Sequence, residues 1–323
     1  MGKDYSICVG ATGFGGGVWH SPDGGENWNR IRDPFPLGCQ VRALAVYPDN
    51  PDRILAGSDY GICRSEDKGA TWEKLWSPMD GVPIWSIAID PQDTDTIFVG
   101  IKPAALFRSK DGGHSWSKLS VQMAQECHIG PPMVTGLMVD PSDHRTVWAG
   151  VEVDGVYRSL DGGDTWTQID GGVNPDIHGM TISPGQPNRV LVSTPREIYS
   201  TTDMGESWQS VVKTDQFVLP YSRGVAVKPG DPNVIFSALG DTAIGGAGAI
   251  HRSTDGGQTW ERRSLPVEPN SNIWGFATHP ADPDFVLASS LMGELYSSSD
   301  AGDSWQKLDR EFTEVGAMAW VPN

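Results

Sequence analysis

The sequence predicts an all-β fold, a seven-bladed propeller assembled from one repeated unit of four strands. Three observations lead there. The 323 residues include 39 Gly, 24 Pro and 13 Trp, a profile of many short strands joined by tight turns around an aromatic core rather than of long helices. An eight-residue pattern, Ser/Thr-x-Asp-x-Gly-x-Ser/Thr/Asn-Trp, returns seven times, with Trp-to-Trp steps of 44, 44, 50, 42, 52 and 45 residues. Each copy also sits inside the same order of strand-like runs, and units of that length are the size of a four-stranded blade.

The unit justifies itself element by element. A first strand ends in an acidic, Pro-rich turn, as in 41–51 and 85–91, and two further strand-like runs follow, such as 53–57 and 61–65. The eight-residue pattern then makes a tight turn: its Asp carboxylate accepts from backbone N–H groups ahead of it, its Gly takes positive φ, and its Trp opens the fourth strand. The copies run from Ser21 to Trp28, Ser65 to Trp72, Ser109 to Trp116, Ser159 to Trp166, Thr201 to Trp208, Ser253 to Trp260 and Ser298 to Trp305. The chain starts at a second strand, 5–10, and finishes with a lone first strand, 315–321. The two ends therefore complete one blade and close the ring without a free sheet edge, and residues 1–323 are read as one seven-bladed domain.

The pattern resembles the Asp-box, or BNR repeat, and the resemblance runs the length of the chain. It implies a propeller. Asp-box propellers include sialidases, other glycoside hydrolases, sorting-receptor ectodomains and photosystem II assembly factors. Against the sialidase pattern of six blades and a Phe/Tyr-Arg-Ile-Pro segment, this chain has seven copies, and Pro195-Arg196-Glu197 is not a match. Sorting receptors have ten blades and disulfides, and the assembly factors normally carry a leader and a basic patch that are not evident here. The box residues themselves read as turn staples, since a reaction centre needs no seven copies.

Composition excludes several partner classes. With 24 Lys and Arg against 41 Asp and Glu, the net charge is −17, which repels a phosphate backbone, so nucleic acid is set aside. No apolar run is long enough to span a membrane. The four cysteines lack paired metal-type spacing and no leader precedes the first strand, so they are read as reduced thiols in a cytoplasm. No Gly-x-Ser-x-Gly elbow, phosphate-binding Gly-Lys-Ser/Thr loop or His-Glu-x-x-His helix occurs.

A propeller alternates its turns between two faces. One collects the acidic turns and all seven boxes, and reads as a solvated acidic rim. The other collects the loops between second and third strands and the loops that lead into each blade, and here the repeat breaks. The inner strands begin at Arg42, Trp85, Thr135, His178, Arg223 and Trp274, six different groups aimed at one axial funnel, and nearby loops add Asp59, Tyr60, Lys102, Glu152, Asp154, Arg196, Glu197 and Asp241. Of the seven histidines only His128 and His178 fall on this face. With Glu152 they form a candidate site for one divalent metal ion; hydrogen-bonded loop histidines are the competing reading. Arg42, Arg196, Arg223 and Lys102 are a candidate anion-binding side, with salt bridges to Asp59, Glu197 and Asp241 as the alternative.

The function expected from these groups is a hydrolase or lyase that takes a small anionic or oxygen-rich substrate in the funnel. Trp85, Trp274 and Tyr60 would enclose it, and His178 with Glu152 or His128 would carry acid–base or metal-assisted chemistry. Glycoside hydrolysis would need two facing carboxylates, for which Asp59, Glu152 and Asp241 are the candidates. The rival expectation is a binding or assembly scaffold with a protein partner, which would expose aromatic side chains around the rim instead.

Overall fold

The computed structural model describes residues 5–183 and 189–323. These form seven four-stranded antiparallel sheets, each a simple meander from an inner to an outer strand. The inner strands of blades two to seven are Val41–Val46, Ile84–Ile89, Val134–Val139, Gly179–Ile182, Tyr221–Lys228 and Ile273–His279. Blade one takes its inner strand from the other end of the chain: Glu314–Pro322 pairs antiparallel with Tyr5–Thr12, with Ile7 opposite Trp320 and Cys8 opposite Ala319. Each inner strand packs on the next, and Glu314–Pro322 against Val41–Val46 completes the circle. Among the described residues no helix is long and apolar enough to cross a membrane.

The seven boxes are built as their chemistry requires. In blade four, Ser159 Oγ donates to Asp161 Oδ1 at 2.8 Å and accepts from the Gly163 N–H at 2.8 Å. Asp161 in turn accepts the Thr165 N–H at 2.8 Å and the Thr165 hydroxyl at 2.6 Å, while Trp166 Nε1 donates to the Gly163 carbonyl at 3.0 Å. The box glycine does two jobs at once. Gly163 has φ +90°, and a Cβ there would stand 2.6 Å from the Phe98 ring of the preceding blade. The turn that ends one strand pair is therefore also the surface against which the neighbouring blade packs, which links local turn chemistry to the interblade core.

The same hydrogen bonds make the fold acid-sensitive. Side-chain donation from Ser115, Thr165, Ser207 and Thr259, followed by their backbone N–H groups, holds Asp111, Asp161, Asp203 and Asp255 down at about 2. Folded-state values below the unfolded value of about 3.9 mean stability that is present above pH 4 and lost as pH falls towards 2. His251 acts in a higher window: burial, then the charge of Arg262, lowers it from 6.5 to about 4. Its neutral form is the one folded, so it costs no stability above about pH 6.5 and a growing amount as pH falls to 4. Urea midpoints measured from pH 7 to pH 2 should thus fall in two stages. His251→Gln is expected to shrink the upper stage, which His20 and His279, also lowered chiefly by burial, share, and Asp161→Asn to remove one of the four like contributions to the lower; a midpoint independent of pH between 6.5 and 4 would contradict the first.

Candidate functional site

In six of the seven blades one residue is released from the sheet ladder at the head of the inner strand. The pairing with the second strand skips Arg42, Trp85, Thr135, Arg223 and Trp274 in blades two, three, four, six and seven, and Gly316 in blade one. A β-bulge of this kind re-aims the side chain of its extra residue. In blade five His178 stands just before the strand, its N–H donating to the Ser193 carbonyl at 2.9 Å. All seven residues line one axial cavity of about 380 Å³, near the lower end of ligand-sized pockets. The funnel expected from the repeat is therefore present, and its wall is the set of inner-strand heads.

Two cationic arms dominate it. The Arg223 guanidinium lies 4.0 Å from the centroid of the Trp274 ring, and that of Arg42 lies 4.5 Å from Trp85, the same arrangement in two pairs of adjacent blades. Stacking on an aromatic face fixes a guanidinium while leaving its N–H edge free to bind. Arg42 donates to Gln40 Oε1 at 2.9 Å. Burial lowers its pKa, Glu314 and Asp59 oppose that, and Arg223 adds to it, so the two guanidiniums repel each other within the funnel. Arg223 is 8% exposed and stands 3.6 Å from Glu152. Trp85 Nε1 is buried and without a hydrogen-bond partner.

Beside Arg223 lies a cluster on blades four and five. His178 Nδ1 is 2.7 Å from the Ser222 carbonyl, an atom that only accepts, so Nδ1 carries the proton and donates. Its other nitrogen, Nε2, is 3.4 Å from Asp176 Oδ1 and 3.3 Å from the Tyr221 hydroxyl. Ligand atoms of Glu152, Asp176 and His178 lie within 4.8 Å of one another. The set expected for a metal is corrected here: His128 is exposed on the loop before blade four, and Asp176 takes its place. Asp176 and His178 flank Ile177, and residues two apart in an extended segment share a side; that alternation was the available signal for Asp176. Tyr221 was signalled only by its place at the start of an inner strand.

Other expected residues point elsewhere. Asp59 is half-buried and accepts from the Gln40 N–H at 2.8 Å, and Asp241 is exposed and bonded to the Thr242 N–H. None of Asp59, Glu152 and Asp241 is in the cavity lining, so they do not form a facing carboxylate pair across it. Arg196 is exposed and outside the lining. Tyr60 and Lys102 are outside the lining: Tyr60 is exposed with Lys74 Nζ 3.9 Å from its ring centroid, and Lys102 Nζ stands 5.9 Å from the Trp85 centroid. Thr135 lines the cavity, yet its hydroxyl is committed to the Ile177 carbonyl at 2.7 Å. Cys8, Cys39 and Cys63 are buried free thiols pushed up to about 12, 11 and 12 chiefly by burial, which removes them as nucleophiles.

Around the funnel the face is studded with apolar groups. Of the ten exposed large hydrophobic side chains among the described residues, nine lie on this face: Phe14, Leu37, Tyr60, Trp76, Ile129, Val218, Ile244, Val267 and Met292. Only Leu160 lies on the box face. Phe14 is 96% and Trp76 70% exposed. This asymmetry is absent from the composition and arises because every one of the nine sits in a loop of the variable kind.

Comparison with known proteins agrees with this architecture. The BNR/Asp-box repeat family model matches residues 251–262. Xyloglucanase Xgh74A of Acetivibrio thermocellus is 28% identical over 91% of this chain and 36% of its own length. The GH74 xyloglucanase from Xanthomonas campestris superposes with a TM-score of 0.66 at 21% identity, covering 94% of this chain and 46% of that one. YCF48 from Cyanidioschyzon merolae superposes at 0.64 and 15% identity, covering 86% and 88%, and YCF48 has also been solved bound to a D1 peptide. The chain spans about a third of the length of the curated xyloglucanases it matches first, and close to the whole of YCF48.

Proposed function

We propose that this Asp-box propeller is a binding module whose variable face receives a macromolecular partner and whose axial funnel takes a carboxylate carried by that partner, the free C-terminus of a peptide. The observation that carries the reading is the pair of guanidiniums, the buried Arg223 and the half-buried Arg42, each braced on a Trp and lining one small cavity. A cavity of this size suits one or two residues of a peptide, and nine exposed apolar side chains around it supply the surrounding contact. The peptide-bound YCF48 structure, similar in fold over most of both chains, supports the same kind of partner.

A second reading, polysaccharide binding, is favoured by the names of the sequence relatives and by the exposed indole of Trp76, a ready stacking surface. Hydrolysis within the funnel is less well supported. Glu152 and Asp176 are grouped with His178, one ligand atom of each within 4.8 Å of the others, rather than facing each other across the funnel, and neither is in its lining.

Fluorescence titration with a short acidic peptide, compared with its C-terminally amidated form and with xyloglucan oligosaccharides, separates the readings. The free acid is expected to bind at least tenfold more tightly than the amide, the worth of one charge-assisted contact. Oligosaccharide binding with no response to either peptide would transfer the site to the second reading.

A further inference from the structure

The geometry points to a metal site built by Glu152, Asp176 and His178, for a borderline divalent transition ion of the Zn²⁺ type. The argument starts from an excess of acceptors. His178 donates through Nδ1 to the Ser222 carbonyl, which leaves the Nε2 lone pair directed at Asp176 Oδ1, 3.4 Å away. Asp176 Oδ1 and Glu152 Oε2 are both buried and lack any hydrogen-bond partner, and Glu152 is only 7% exposed. One ligand atom from each of Glu152, Asp176 and His178 lies within 4.8 Å of the other two. The Tyr221 hydroxyl, 3.3 Å from Nε2, offers one proton for the three. A proton added to Nε2 would pair with Asp176 and still leave Glu152 Oε2 bare. An ion answers all three together.

Two further features fit an ion rather than a proton. A ligating histidine characteristically hands its second N–H to a carbonyl or carboxylate, which fixes the tautomer and the ring, as Ser222 does for His178. Ligands at about 2.1 Å in a tetrahedron stand roughly 3.4 Å apart, the separation that Nε2 and Asp176 Oδ1 already have; rotation of the Glu152 side chain closes the third edge. Arg223 faces Glu152 Oε1, so the ion would use the opposite oxygen, and one carboxylate would bridge the guanidinium and the metal. His178 lines the axial cavity, which leaves the remaining coordination position open to it. One imidazole with two carboxylates suits Zn²⁺ or Co²⁺ better than the all-oxygen shell of Ca²⁺. The site does not depend on which partner the face binds.

The test uses the whole chain, stripped with a chelator and titrated with Zn²⁺ by calorimetry and with Co²⁺ by visible absorption. One ion per chain is expected, with Kd of about 10 μM or tighter, raised by about 10- to 100-fold in Asp176→Asn and Glu152→Gln and abolished in His178→Gln. His128→Ala should bind as the parent does. Far-UV circular dichroism and the thermal midpoint without metal confirm that each variant is folded. Absence of binding up to about 1 mM ion, or binding that ignores Asp176→Asn and Glu152→Gln, or binding lost with His128→Ala, would overturn the assignment.

Discussion

Replacing Trp320 with alanine is expected to destabilise the protein by about 4 kcal/mol, the range for emptying a large aromatic site in a core. The side chain is 2% exposed, meets Phe285 edge-on at 4.8 Å and Tyr5 at 5.4 Å, and donates from Nε1 to the Ala277 carbonyl at 3.2 Å. What raises the stakes is its address. Trp320 lies opposite Ile7 in the one sheet made from both ends of the chain, while Ala277 and Phe285 belong to blade seven. A cavity there weakens the contact between the last blade and the closing blade, the seam on which the circle depends. Urea unfolding followed by circular dichroism gives the number directly. Trp76→Ala, which empties a 70% exposed position, should stay within about 0.5 kcal/mol of the parent. A loss below about 1.5 kcal/mol for Trp320→Ala would mean that the seam repacks easily and the closure argument fails.

Arg223→Met has the second large effect, and it should appear twice. The Arg223 and Glu152 side chains are each 9% exposed and face each other at 3.6 Å. Removing the cation strands a buried carboxylate, which costs about 3 kcal/mol when a buried pair is broken from one side. Adding Glu152→Gln should recover most of that loss, because the stranded charge goes with it. Ligand affinity behaves differently. The same Arg223→Met change is expected to weaken the free-acid peptide by about 10- to 100-fold, and Glu152→Gln should not restore it. Recovery of both stability and affinity in the double variant would show that Arg223 serves the fold alone and that the funnel is not an anion site.

The division between what the chain announced and what it concealed follows the repeat. Blade count, closure by residues 314–322, and the axial placement of Arg42, Trp85, His178, Arg223 and Trp274 were all readable, because a register repeated seven times assigns each position a place on its strand. Loop residues have no such register. Asp59, Arg196 and Asp241 were grouped with the funnel by their proximity in sequence to inner-facing strands, and the backbone turns them away. His128 failed for the same reason, 6 residues ahead of Val134 on an irregular segment. Asp176 was missed although it lies beside His178, since attention to charged residues in loops carried no criterion for direction. The clustering of exposed apolar groups on one face needed only the face assignment already in hand.

The bulge at the head of six of the seven inner strands has an evolutionary meaning. A residue that makes no ladder contact can be exchanged with little effect on the sheet beneath it, provided its side chain holds no buried partner as Arg223 holds Glu152, so the mouth of the ring behaves as a short alphabet written on a repeated page. Arg, Trp, Thr, Arg and Trp are its present letters, His178 adds one from just before its strand, and blade one carries a blank, for a Cβ on Gly316 would stand 2.4 Å from the Val41 carbonyl. Change of ligand in such a lineage would come through these few positions, one blade at a time, with the seven turns that hold the circle left untouched.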